Sequence, residues 1–245
     1  MNHLSSQSLA QIVSANHRTA TVFEKYNLDF CCKGKRSLEQ ACHDQNIQVE
    51  ELVKELESVA ATGNAEAFPF DILNLTQLTD YIVSTHHSYV KGEMPQLLGY
   101  LEKIASKHGP RHPELYKIFE LFAAVKEEMD MHMHKEEIIL FPRIKELEDL
   151  SQQDKSGFKP NITYLSGPIN VMEEEHDHAG SALQEIRQLT NNYQAPLDAC
   201  TTYKVAFASL KTFEEDLHRH VHLENNLLFP KAIGLLEKMT IASLN

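Results

Sequence analysis

The sequence predicts an all-α protein, a four-helix bundle preceded by a small helical unit, and three observations carry that expectation. Glycine and proline number only nine each in 245 residues, so long uninterrupted helices are permitted. Beyond about residue 70, apolar residues recur at alternating intervals of three and four, the period of a helix with one face on a core. A segment also repeats: His132-Met133-His134-Lys135-Glu136-Glu137-Ile138-Ile139-Leu140-Phe141-Pro142 returns 88 positions later as His220-Val221-His222-Leu223-Glu224-Asn225-Asn226-Leu227-Leu228-Phe229-Pro230.

Residues 1–60 form a first unit, with helical signals from Ser8 to Tyr26 and from Ser37 to Val59 on either side of Leu28-Asp29-Phe30-Cys31-Cys32-Lys33-Gly34-Lys35. Small residues with Gly63 and Pro69 make 61–70 a linker. The bundle occupies 71–245. Its first helix carries the stripe Val83, His87, Val90, Met94, Leu97, Leu101, Ile104, with Pro95 expected to kink it. Its second carries Phe122, Val125, Met129, His132, Glu136, Ile139, and Pro113 suits the first turn. Gly157 and Pro160 mark a loop between halves. The third helix carries Met172, His176, Ala179, Leu183, Ile186, with Pro168 again suited to a first turn. The fourth, Leu210, Phe213, Leu217, His220, Glu224, Leu227, matches the second position for position. Each half is therefore a helix with one histidine, a loop, and a helix with His-x-x-x-Glu. Four such helices with polar connections predict a four-helix bundle.

The stripes contain residues that do not belong in a core. Burying a carboxylate is costly unless a cation or hydrogen-bond donors compensate. Glu136 and Glu224 stand where leucine is expected, and His132 and His220 lie one turn earlier, rotated by only about 40° on the helix. Of fourteen histidines, only these two precede a glutamate by four. By contrast, i and i+2 differ by about 200°, which turns His134 and His222 toward solvent. With His87 and His176 the set is four imidazoles and two carboxylates, too many for one closed tetrahedral zinc. It suits two ions of iron, manganese or zinc, each on two histidines with both glutamates bridging. His86 adjoins His87. One of the two is expected to face the core, and the match to His176 selects His87. A ferritin-type ligand set fits less well, because Glu173-x-x-His176 and Glu215-x-x-His218 have no first-half counterparts.

A formal charge of -12 disfavours nucleic acid and anionic membrane surfaces. Apolar runs are too short to span a bilayer, and no basic start followed by an apolar stretch suggests export. The four cysteines form no disulfide framework, so a cytoplasmic location is expected. Cys31 and Cys32, beside Lys33 and Lys35, read either as a redox-active or cluster-contacting pair with thiolate favoured, or as a small packed structural site. Cys42 and Cys200 read as inert.

In their joint order, Leu28-Asp29-Phe30-Cys31-Cys32-Lys33-Gly34, His132-Met133-His134-Lys135-Glu136-Glu137, Glu175-His176-Asp177-His178-Ala179-Gly180 and Leu223-Glu224-Asn225-Asn226-Leu227-Leu228-Phe229-Pro230 resemble the Repair of Iron Centres family, the ScdA/YtfE type, over nearly the whole chain. The resemblance implies a hemerythrin-like bundle holding two non-haem irons on His87, His132, His176 and His220. Glu136, Glu224 and an oxo or hydroxo group would bridge them. It implies repair of iron–sulfur clusters damaged by nitric oxide or peroxide, by supply of iron, with iron–sulfur proteins as clients. It also implies nitric oxide and dioxygen as small ligands, and it admits a homodimer. Two other uses of such a centre stay open: an enzyme that reduces nitric oxide or decomposes peroxide, and a carrier or sensor that binds gas reversibly.

Overall fold

The structure, a computed structural model, describes residues 4–61, 70–152 and 163–242. The expected linker and the Gly157–Pro160 loop lie outside the described residues, apart from the linker's two ends. In the front unit, α1 (Leu9–Ala15) and α3 (Leu38–Gln45) begin at capping boxes. The Ser8 and Ser37 hydroxyls accept from the amides of Gln11 and Gln40, and those glutamine side chains accept from the serine amides. An isolated antiparallel bridge joins the two serines. α2 (Thr19–Lys25) and α4 (Val49–Ala61) complete the unit. Each expected helical stretch is split in two, for local reasons. The Asn16 side chain accepts from the Arg18 amide and ends α1 in a turn. Asn46 takes the left-handed conformation at φ 55 and ends α3.

Four rods form the bundle. The first is α5 (Leu75–Ile82), a π turn (Val83–His87) and α6 (Ser88–His108). The second is α7 (Glu114–Lys135), a π turn (Glu136–Leu140) and α8 (Phe141–Gln152). The third is α9 (Thr163–Leu189). The fourth is α10 (Thr201–Leu223), a π turn (Glu224–Leu228) and α11 (Phe229–Ala242). α7 packs on α6 and α9, and α10 packs on α6. Pro95 lies inside α6, and Pro113 is the cap residue before α7. Pro168 is not in a first turn, because α9 already starts at Thr163.

A π turn adds one residue to a helical turn, so the buried stripe slips by one position after it. Ile139, expected in the core, is 45% exposed, and Leu140 is buried instead. Leu227 is half-buried and Leu228 takes the core place. Two apolar clusters result. One unites the front unit with α6, most of α7, the end of α9 and most of α10. The other is made by α5, α8, the start of α9 and the fourth rod from Leu223 onward. On every rod the anomalous histidines and glutamates fall at the boundary between them.

The front unit docks through polar contacts as well as through the shared core. Arg187 of α9 bonds Glu24 at 3.0 Å and Glu214 of α10 at 2.7 Å, and His218 pairs with Glu24. Asn226 donates to the Cys31 carbonyl at 2.9 Å. Ser14 bonds His222, and Phe30 lies against the His218 and His222 rings. His222 is therefore buried, not solvated as its helical phase suggested, because the front unit covers that side of α10. Burial pushes its pKa down to about 4. His134 is exposed, as expected.

This docking titrates at both ends. Burial raises the Glu24 carboxyl, but His218 and Arg187 outweigh it and hold the group below its ordinary 4.5. Its contribution is full above 4.5 and is lost as pH falls through the lowered value. Burial opposes protonation of His218, but Glu24 raises it above its ordinary 6.5. That contribution is full below 6.5 and is lost as pH rises through the raised value. His222, held neutral under the front unit, adds a third contribution that is full above 6.5 and is lost as pH falls toward 4. Hydrogen exchange of the α1–α4 amides, corrected for the intrinsic pH dependence, should therefore show greatest protection near 6.5 and lose it on both sides. Protection that stays flat on both sides would show that these groups do not contribute.

Candidate metal centre

Six side chains, His87, His132, Glu136, His176, His220 and Glu224, meet in the layer between the two apolar clusters, each at most 1% exposed. They form two groups: His87 and His220 with both glutamates, and His132 and His176 with both glutamates. The Nε2 atoms of His87 and His220 are 3.1 Å apart, and those of His132 and His176 are 3.0 Å apart. Glu224 turns Oε1 to His220 at 3.0 Å and Oε2 to His176 at 3.1 Å, one oxygen to each group. Glu136 Oε2 lies 3.4 Å from both His87 and His132 Nε2.

The outer ring nitrogens decide what the inner ones offer. His87 Nδ1 donates to Glu137 at 2.7 Å, His132 Nδ1 to Glu175 at 2.9 Å, and His176 Nδ1 to Asn225 at 2.9 Å. With the proton on Nδ1, the Nε2 lone pair points inward. Two lone pairs facing at about 3 Å are stable only with a proton or a cation between them. Among the described residues, both oxygens of Glu136 and Oε2 of Glu224 are buried without a hydrogen bond, and such atoms carry a large desolvation cost. Donors bonded to one ion at about 2.1 Å and at right angles sit about 3 Å apart, the spacing seen here. The residues present therefore fit cations.

Without a cation, protons occupy the gaps. Burial disfavours the charged forms of His87 and His132, but the surrounding carboxylates prevail. Glu136 and Glu224 push His87 up to about 10, and Glu136, Glu175 and Glu224 push His132 up to about 10. Burial and the Glu224 charge oppose ionisation of Glu136, yet His132 and His87 hold it low. Glu224 is held well below the usual carboxylate range, against burial, by His220, His176 and His87. Cation uptake must displace the extra protons on His87 and His132, so affinity should rise with pH. In weakly buffered solution at neutral pH, metal addition should release one proton from each of these histidines. An indicator dye that reports no release would refute this protonation state.

The π turns place three of the six side chains: one ends on His87, and the others begin on Glu136 and Glu224. The first also buries both neighbouring histidines, where only one was expected to face the core, and His87 is the one that joins a group. His86 is buried too, bonds Asp216 at 3.0 Å, and stacks on His220, but joins neither group. The bracing residues Glu137, Glu175 and Asn225 went unrecognised in the sequence. A signal existed for two of them, since Glu137 and Asn225 follow the paired glutamates at equivalent places in the repeat. Lys91 and Lys135 bond Glu137 and Glu175 in turn. His132 and Lys135 hold Glu175 ionised with a pKa of about 2.

Cys31 and Cys32 lie apart from the six, with sulfurs 3.8 Å from each other. Asp29 accepts from the amides of Cys31, Cys32 and Lys33. The expected thiolate is not favoured at Cys31: hydrogen bonding to Cys32, burial and the Asp29 charge push that thiol well above its usual range. The pair lines a cavity of about 140 Å³ with Glu173, Asp177 and Asn225, and Asn225 is the residue that braces His176.

Residues 78–232 match the family model described as the Hemerythrin HHE cation binding domain. Residues 5–60 match ScdA_N, a domain of unknown function. Similar proteins include the iron–sulfur cluster repair protein YtfE of Yersinia pestis (strain Pestoides F) and that of Yersinia pseudotuberculosis serotype O:1b (strain IP 31758). Each is 36% identical over 228 residues, covering 93% of this chain and 97% of the relative.

Proposed function

The chain belongs to the hemerythrin HHE cation-binding family, in the two-part form it shares with the YtfE repair proteins, and on that basis we propose that it carries two irons and yields them to damaged iron–sulfur clusters. His87 and His220 hold one iron, His132 and His176 hold the other, and Glu136 and Glu224 bridge them, with an oxo or hydroxo group completing the bridge. The observation that carries this reading is the set of buried, unbonded carboxylate oxygens facing paired imidazole nitrogens.

The donor set suits release as well as binding. It contains no thiolate, and imidazole and carboxylate ligands can be reprotonated. His87 and His132 have the proton affinity to take back protons as iron departs. Iron–sulfur proteins are the clients, nitric oxide and dioxygen are the small ligands, and the cytoplasm is the place of action. No described helix is long and apolar enough to cross a membrane.

The test is transfer. Iron-loaded protein, mixed with an iron–sulfur enzyme inactivated by nitric oxide, should restore the cluster while losing iron in proportion. His134→Ala should behave as wild type, since His134 is exposed and outside both groups. Sustained consumption of nitric oxide or peroxide with iron retained would replace this reading with an enzymatic one. Reversible gas binding with neither transfer nor turnover would leave a carrier or sensor.

A further inference from the structure

The centre is built from a repeat, and the repeat breaks at one place. Glu137 braces His87, and its counterpart Asn225 braces His176. Glu175, just before His176, braces His132. The residue that stands just before His87 in the same way is His86, and it does not brace His220. Its ring lies parallel to the His220 ring with centroids 5.6 Å apart, and its Nδ1 is engaged by Asp216. Among the described residues, His220 Nδ1 is buried without a hydrogen-bond partner. Both imidazoles of the His132/His176 group therefore have an acceptor on the outer nitrogen, whereas in the His87/His220 group only His87 has one.

We propose that the two cation positions are unequal, and that the one between His87 and His220 empties first; this rests on the iron-carrying reading above. An acceptor on the outer nitrogen fixes a ligating imidazole's tautomer and orientation and raises its basicity. Losing such a partner typically costs about 10–100-fold in metal affinity. His220 must bury an unpaired Nδ1–H to offer its Nε2 lone pair, so its iron is held by one braced imidazole and one unbraced. The bridging carboxylates do not compensate. Glu224 approaches His220 and His176 almost equally, and Glu136 is equidistant from His87 and His132. The fold thus sets an order of release, one iron leaving ahead of the other.

The experiment uses the full chain loaded anaerobically with two irons and challenged with a ferrous chelator. Release is expected in two phases whose rates differ by about tenfold or more. Anomalous diffraction from half-depleted crystals should show the remaining iron beside His132 and His176. Glu175→Gln should speed the slow phase and leave the fast one unchanged. Release of both irons in one phase, or a residual iron beside His87 and His220, would overturn the proposal while the iron-carrying reading stood. A chain that takes up no iron would overturn both.

Discussion

A Glu224→Leu chain is expected to lose both irons, a larger loss than replacement of any one histidine produces. Glu224 belongs to both groups and presents one oxygen to each. His87→Ala strips donors only from the His87/His220 position, so the other iron should remain. The fold should survive Glu224→Leu, since leucine is what the stripe calls for at that position. Without metal, Glu224 is a counter-charge for His87 and His132, and breaking a buried pair from one side is destabilising. The metal-free variant should therefore melt below the metal-free wild type, and the further stabilisation expected from iron binding to the wild type should be absent from it. Iron per chain, melting with and without iron, and transfer to a damaged cluster form the set of measurements. A variant that keeps iron and repair would end the case for Glu224 as a bridge.

Arg187→Ala is expected to destabilise the protein by about 3–5 kcal/mol, the cost of leaving buried charges without their partner. Arg187 sits between Glu24 and Glu214, whose side chains are 12% and 2% exposed. Its removal leaves Glu214 with only the Tyr193 hydroxyl at 2.7 Å among its described side-chain hydrogen-bond partners. Since Glu24 belongs to the front unit and Glu214 to the bundle, the loss should appear as undocking as well as in overall stability. Urea unfolding gives the magnitude. Labelling of Cys31, buried where the front unit meets Asn226 of the bundle, gives the location. A change below about 1 kcal/mol, the size typical of an exposed pair, with Cys31 still protected, would mean that the apolar interface alone holds the front unit.

The all-helical architecture was legible because burial periodicity is a property of consecutive residues. Met172, Ala179, Leu183 and Ile186 all lie in the core as their spacing implied. The repeat picked out the six side chains that the structure brings together, since His132 and Glu136 share a face in any regular helix. Legibility ended where the helix stopped being regular. Nothing local to Glu136-Glu137-Ile138-Ile139-Leu140 announces a π turn, so Ile139 was assigned the place that Leu140 holds. It also ended where burial comes from a distant segment. His222 has a solvent-facing phase on its own helix and is covered by Phe30 and Ser14, the latter 208 positions earlier. Glu175 illustrates a third limit: a residue beside a histidine in sequence braces a different histidine across the bundle.

The two apolar clusters on either side of the centre have a further consequence. Each is a core in its own right, and the polar layer is a seam between them rather than the middle of a single core. Losing ions from the seam removes no apolar contact from either side. Opening can then be confined to one layer, as sub-global fluctuations of folded proteins commonly are. If it carries iron as proposed, a protein so divided can surrender that iron without unfolding and accept a fresh load without refolding.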